Sequence, residues 1–145
     1  MVKFRPAAEI WTFLPDDSIE EGDYCVQFAG RGVSEAIAEH LRGAGYTVST
    51  PEHMGEQGWD FKVNAKPRSI FIQITYFGNE YLLISYESRW FAYRRKYDNP
   101  VHAEILDRIN NLLNADPRFH RVRWFFDEEI HGGGPGAASP FGDAA

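Results

Sequence analysis

The fold is decided by residues 59–87, which read WDFKVNAKPRSIFIQITYFGNEYLLISYE. Apolar and polar side chains alternate through the first seven residues, as in a strand with one buried face. The middle of the stretch is apolar on both faces, which is typical of a central strand. Gly78-Asn79 supplies the positive backbone angles of a tight hairpin turn. The stretch therefore predicts three consecutive antiparallel strands, at 59–65, 70–77 and 81–87.

Two amphipathic helices flank this stretch. Val33, Ile37 and Leu41 recur at helical spacing before a glycine stop, and Ile105 and Ile109 lie on the apolar stripe of a second helix. We expect the helices near 33–43 and 101–114, and further strands at 24–29, 46–50 and 121–126, with 9–14 as a strand or a helical turn. Because hairpins join the long strands, we predict an α+β fold: an antiparallel sheet of about five or six strands with two helices packed on one face. The predicted core includes Ile72, Ile74, Ile105 and Ile109.

Composition describes one acidic globular domain. The chain has 145 residues, 43% hydrophobic and 25% charged, with a formal net charge of −6. Residues 132–145 are rich in Gly, Pro and Ala, so we expect a domain over 1–131 and a disordered tail over 132–145. Cys25 has no second cysteine to pair with, and the sequence contains no run of about 18 apolar residues. Because residues 1–14 include charged residues and a proline, we expect no secretory signal there. The cytoplasm is the expected compartment, without a membrane association.

Charge is distributed unevenly, and one acidic run stands out. Residues 1–65 hold 5 basic and 11 acidic side chains, whereas residues 66–126 hold 10 and 6. Mutual repulsion favours a solvated loop for the acidic run, which serves either as a solubilising surface or as a patch that faces a partner. Its candidate binding residues are Asp16, Asp17, Glu20, Glu21 and Asp23.

A second candidate surface is the segment 89–97, with four cations and four aromatic rings in nine residues. The rings can fix a loop on the core, or the segment can bind an acidic protein or a single-stranded nucleic acid. A net charge of −6 disfavours nucleic acid. The candidate binding residues here are Arg89, Trp90, Tyr93, Arg94 and Arg95.

Aromatic side chains are also more numerous than one sheet–helix interface needs, at 15% of the chain. We expect several on the sheet face that the helices leave open, where they can form a docking surface or a dimer interface. The candidates are Tyr76 or Phe71, Tyr81 or Tyr86, and Phe125.

No motif in the chain specifies a reaction. The turn Gly30-Arg31-Gly32 lies where a phosphate loop would lie, but it lacks the Lys-Ser/Thr of a P-loop, and Glu35 stands where a dinucleotide fingerprint needs glycine. The five histidines show no metal-ligand spacing. We therefore predict no cofactor and no metal, and favour a protein without catalytic activity. The alternative is an enzyme whose site is assembled from distant residues.

Over about 24–126 the chain has a helix, a hairpin beginning at Gly58-Trp59, a long second helix and a final strand with Trp124. This layout resembles the small immunity proteins that bacteria make against their own secreted toxins. The resemblance implies tight binding to one toxin, without a cofactor, and assigns no residues. The secretion chaperones, small acidic α+β proteins that hold an effector segment, have a similar layout. Both resemblances imply a protein partner, and the sequence leaves open whether the domain is a monomer or a homodimer.

Overall fold

The computed structural model describes residues 4–66, 68–78, 80–87, 99–130 and 134–142. Within these ranges the chain forms two helices, a six-stranded antiparallel sheet and a separate two-stranded sheet. The helices are α1 (Arg31–Gly43) and α2 (Pro100–Ala115). The strands are β1 (Ala7–Thr12), β2 (Ile19–Glu21), β3 (Tyr24–Gln27), β4 (Glu52–His53), β5 (Trp59–Ala65), β6 (Arg68–Phe77), β7 (Glu80–Glu87) and β8 (Phe119–Phe125).

The six-stranded sheet has the order β4-β5-β6-β7-β1-β8, and every pairing in it is antiparallel. The predicted hairpins β5–β6 and β6–β7 form its centre. β1 lies between β7 and β8, so the N-terminal strand is an internal strand next to the edge strand β8. The predicted α+β class and the antiparallel sheet are confirmed.

Both helices pack on the same face of this sheet. Ile37 of α1 and Ile109 of α2 lie in one cluster of buried side chains together with Phe61 and Ile72, which point to that face from β5 and β6. The four isoleucines predicted as core are fully buried. α2 begins as the sequence indicates, because the Asn99 side chain accepts the Val101 N–H at 2.9 Å.

Two strand predictions needed correction. No strand forms at 46–50: Val48 makes a single bridge to Val63, and the edge strand is β4 instead. The Ser49 hydroxyl accepts the N–H of Lys62 at 2.8 Å, so a side chain takes the place of a continuous backbone ladder. The strand predicted at 24–29 ends at Gln27 and belongs to the separate two-stranded sheet.

Residues 134–142, predicted as part of a disordered tail, lie against the sheet, which corrects that expectation for them. Ala137 pairs with Trp124 through two backbone hydrogen bonds, of 2.7 and 2.9 Å. Gly136 has φ 72°, and a Cβ there would lie 2.8 Å from the Phe125 ring. The glycine that suggested disorder therefore lets the backbone lie directly on an aromatic ring.

Candidate protein-binding surface

The sheet register brings several chain segments together at one end of the sheet. Thr12, at the end of β1, pairs with Phe119, at the start of β8. At this same end, Phe77 of β6 pairs with Glu80 of β7, and β5 begins at Trp59. We call this the hairpin end, because the chain leaves β1 here to form the hairpin of β2 and β3.

The acidic hairpin, residues 16–27, holds all five of the predicted acidic candidates. The sequence predicted a solvated loop here, whereas Ile19–Glu21 forms a strand that pairs with Tyr24–Gln27 across a turn with Gly22 at φ 62°. All residues of both strands are exposed except the half-buried Gln27. A hairpin of two strands has little stability of its own in water, so its anchors to the rest of the domain matter.

Asp17 is the main anchor of the acidic hairpin. Its carboxylate accepts the N–H of Gly30 at 2.8 Å and that of Gly32 at 2.7 Å, at the start of α1. A negative group at this position satisfies free helix N–H groups and interacts favourably with the helix dipole. Asp17 therefore occupies the place that a phosphate would take in the Gly30-Arg31-Gly32 turn.

A second set of contacts fixes the base of the hairpin to the sheet. The indole N–H of Trp59 donates to the Phe28 carbonyl at 2.8 Å, and the Phe28 N–H donates to His53 Nε2 at 2.9 Å. Asp16 accepts the Ser18 N–H at 2.9 Å. Hydrogen bonds from the Ser18 side chain and backbone hold the pKa of the Asp16 carboxyl below its usual range. Of the acidic candidates, Asp16 and Asp17 thus have structural partners.

Glu20, Glu21 and Asp23 are exposed, and the described residues offer them no hydrogen-bond or ion-pair partner. Two cations near the start of α1 and of β8 are paired with acids: Arg31 with Glu35 at 3.0 Å, and Arg118 with Asp116 at 2.7 Å. Arg121 of β8 instead lies over the Trp11 ring, 5.7 Å from its centroid. Among the described residues, the three carboxylates at the tip of the hairpin therefore have no cation paired with them.

Large apolar side chains are exposed at this end too. Within the described ranges six are exposed, and each belongs to a segment at the hairpin end. Tyr24 is 79% exposed and Phe13, just after β1, is 72% exposed. Strand alternation puts Tyr24 on the same face of the hairpin as Ile19 and Val26. The six are Phe13, Ile19, Tyr24, Val26, Met54 and Phe77.

The open sheet face is less aromatic than the sequence predicted. Tyr81 and Phe125 are buried, the former against the helices and the latter beneath Gly136. Phe71 and Tyr86 do stack on the open face, with ring centroids 5.4 Å apart, and both are half-buried.

The basic candidates Arg89, Trp90, Tyr93, Arg94 and Arg95 lie outside the described residues. The described residues on either side of them, Glu87 and Asn99, lie at the end of the sheet opposite the hairpin end. Asn99 donates to the carbonyl of Ala65, where β5 ends, at 3.2 Å.

One constellation that sequence spacing did not reveal is a Ser–His–Glu cluster under α2. Ser85 Oγ lies 2.8 Å from His102 Nε2, and His102 Nδ1 lies 3.6 Å from Glu87 Oε2. Glu87 also accepts from Arg68 at 2.8 Å. Burial raises the pKa of the Glu87 carboxyl, but the contacts with His102 and Arg68 outweigh it and hold this pKa below the usual range.

This cluster has the residue types of a nucleophilic triad, but a substrate cannot reach its serine. Ser85 and His102 are fully buried, and the Ser85 hydroxyl donates to the Pro6 carbonyl at 2.6 Å. A nucleophile must reach its substrate, and this hydroxyl instead ties β7 to the segment before β1. No sequence signal could have found the cluster, because its members come together only through the sheet register and the docking of α2.

Across the described ranges, no group of three or more His, Cys, Asp and Glu side chains could hold a metal ion. The helices within those ranges are too short or too polar to cross a bilayer. Comparison with protein-family models, with curated proteins and with solved structures gave no match to this chain.

Proposed function

We propose that this domain binds a basic protein through the hairpin end and acts as an immunity protein that neutralises a bacterial toxin. The observation that carries the proposal is the coincidence of two features at one end of the sheet. Among the described residues, six exposed apolar side chains lie there together with three carboxylates that have no hydrogen-bond or ion-pair partner.

The apolar side chains supply a reason for tight association. Exposed apolar residues scattered singly over a surface are ordinary, but a group confined to one end of a molecule is typical of an interaction site. Tyr24 and Phe13 are large aromatic residues, the kind that dominates binding energy at protein interfaces. Their removal from water would also stabilise the two-stranded hairpin that carries Tyr24.

The carboxylates favour a partner with a positively charged surface. Glu20, Glu21 and Asp23 would attract a positively charged surface and accelerate its association. A nuclease toxin presents such a surface where it binds phosphates. A second copy of this chain is disfavoured as the occupant, since docking two hairpins would bring the same carboxylates together.

We place the domain in the cytoplasm. Cys25 is exposed on β3, and the chain has no second cysteine with which it could form a disulfide. A single exposed thiol is compatible with a reducing compartment. An immunity protein acts there, where its own cell is at risk.

A growth assay tests the proposed function. A photo-crosslinking residue at position 24, expressed in the native host, should link the domain to one basic protein. Expression of that protein alone should arrest growth, and co-expression of this chain should restore it. The double variant Glu20→Lys with Asp23→Lys should restore growth poorly, whereas Glu104→Lys with Asp107→Lys, on α2, should restore it fully.

Two results would contradict the proposal. A captured protein that has no effect on growth but is no longer secreted when this chain is deleted would establish the alternative, a secretion chaperone. Equal rescue by both double variants would show that neutralisation does not depend on the acidic hairpin.

A further inference from the structure

A concavity on the open face of the sheet adjoins the hairpin end. Its volume is about 340 Å³. The register places Glu9 of β1 opposite Leu82 of β7, and Glu80 opposite Phe77, so the floor comes from adjoining strands. The lining residues are Glu9, Phe77, Glu80, Tyr81, Leu82 and Ile130.

The concavity has an unbalanced negative charge. It contains two carboxylates, and the nearby cation Arg123 lies with Nη2 3.5 Å from Glu9 Oε2. Burial and the charge of Glu9 raise the pKa of the Glu80 carboxyl, and Arg123 only partly opposes them. The fold therefore holds Glu80 where its charge is costly, and a positive group in the concavity would offset that cost.

The walls of the concavity are apolar. Phe77 is 57% exposed at its rim, and Leu82 and Ile130 provide aliphatic surface. A long side chain with a methylene stem and a charged head fits such walls, because the stem contacts the aliphatic surface while the head meets the carboxylates. An exposed aromatic ring beside the carboxylates also favours a planar cation, which can lie over its face.

We infer that this concavity receives an arginine side chain of the basic partner, with its guanidinium between Phe77 and Glu80. Arginine can pair with a carboxylate through two parallel hydrogen bonds and stack on a ring at the same time, which lysine cannot do. The inference rests on the proposed function and deepens it, since it names the side chain of the partner that this end of the sheet recognises.

The test uses the full chain and a small probe, N-acetyl-arginine methylamide, followed by NMR. Titration should shift the backbone signals of Phe77, Leu82 and Ile130 in a saturable manner. The uncharged citrulline analogue should not. Glu80→Gln should weaken probe binding about tenfold, as expected when a charge-assisted contact is lost, whereas Asp107→Asn on α2 should leave it unchanged.

Removal of a costly charge should make Glu80→Gln at least as stable as the wild type, and a melting temperature no lower than that of the wild type shows that weaker binding does not come from loss of folding. Three results would overturn the inference: shifts that do not saturate, equal binding of the citrulline analogue, or unchanged binding by Glu80→Gln. Equal binding of the lysine analogue would overturn the assignment to arginine.

The probe needs no partner, so the two proposals can fail separately. If the probe does not bind while charge reversal in the acidic hairpin still weakens the partner, the arginine site is wrong and the proposed function stands. If the probe binds while charge reversal in the acidic hairpin leaves partner binding unchanged, the proposed function is wrong and the concavity remains a guanidinium site.

Discussion

The Asp17 carboxylate accepts the backbone N–H of Gly32 at 2.7 Å, fifteen residues along the chain. This bond and its companion to Gly30 attach the acidic hairpin to the first turn of α1. The acidic residues of this run therefore have different roles. Asp17 stabilises the fold, and the carboxylates nearer the tip are the ones that we propose for partner binding.

Asp17→Ala should lower the free energy of unfolding by about 1–2 kcal/mol, because helix N–H groups lose their acceptor and the helix dipole loses a negative charge. Denaturant unfolding measures the effect. Glu21→Ala, in the same run but without a partner in the described part of the chain, is the matched control and should change stability by less than about 0.5 kcal/mol. Equal losses for the two variants would contradict the role of Asp17.

Ser34→Ala should stabilise the domain by about 1 kcal/mol. Ser34 is fully buried on α1, and its hydroxyl has no hydrogen-bond partner in the described parts of the chain. Alanine removes the unsatisfied hydroxyl and has the higher helix propensity. Thermal unfolding measures the change, and a lower melting temperature for Ser34→Ala would show that the hydroxyl is satisfied.

Gly58→Ala should destabilise the domain by roughly 3 kcal/mol or more, beyond the common range for a single substitution. Gly58 has φ 89°, and a Cβ there would overlap the Ile74 carbonyl oxygen, which is backbone and cannot rotate away. Gly43→Ala is a suitable control, because a Cβ at Gly43 meets nothing within 4 Å. Similar unfolding curves for the two variants would contradict the close approach of Gly58 to Ile74 of β6.

Glu80→Gln should have a pH-dependent effect on stability. Because the folded-state pKa of Glu80 is raised, its charge opposes folding above that pKa, and the cost disappears once the carboxyl is protonated. At pH 7 the variant should melt at a higher temperature than the wild type, and the difference should vanish below the ordinary glutamate pKa. A difference that grows on acidification would reverse the sign assigned to Glu80.

The sequence predicted the elements whose signals are local. The period-two alternation of 59–65 and the Gly78-Asn79 turn correctly indicated the central strands of the sheet. The acidic run suggested a loop because its charges repel, but Ile19 and Val26, with a glycine turn between them, form a short exposed hairpin instead. The pattern of charge alone does not distinguish a solvated loop from a solvated hairpin.

Features that depend on distant contacts could not be predicted. The concavity joins Glu9 to Ile130, and the buried cluster joins Ser85 to His102 through the docking of α2 on β7. In the tail, the glycine content predicts disorder, whereas Gly136 allows the backbone to pack closely on Phe125. In each case the deciding partner lies far away along the chain, and composition does not specify it.

The central claim is that the acidic hairpin binds the partner, and association kinetics with the purified partner test it most directly. Glu20→Lys with Asp23→Lys should slow association about tenfold or more at low salt and reduce its salt dependence. Neither Glu104→Lys with Asp107→Lys nor Trp90→Ala with Arg94→Ala should do so. Unchanged association for the hairpin variant, together with loss of binding by the Trp90 and Arg94 variant, would contradict the account and move the site to 89–97.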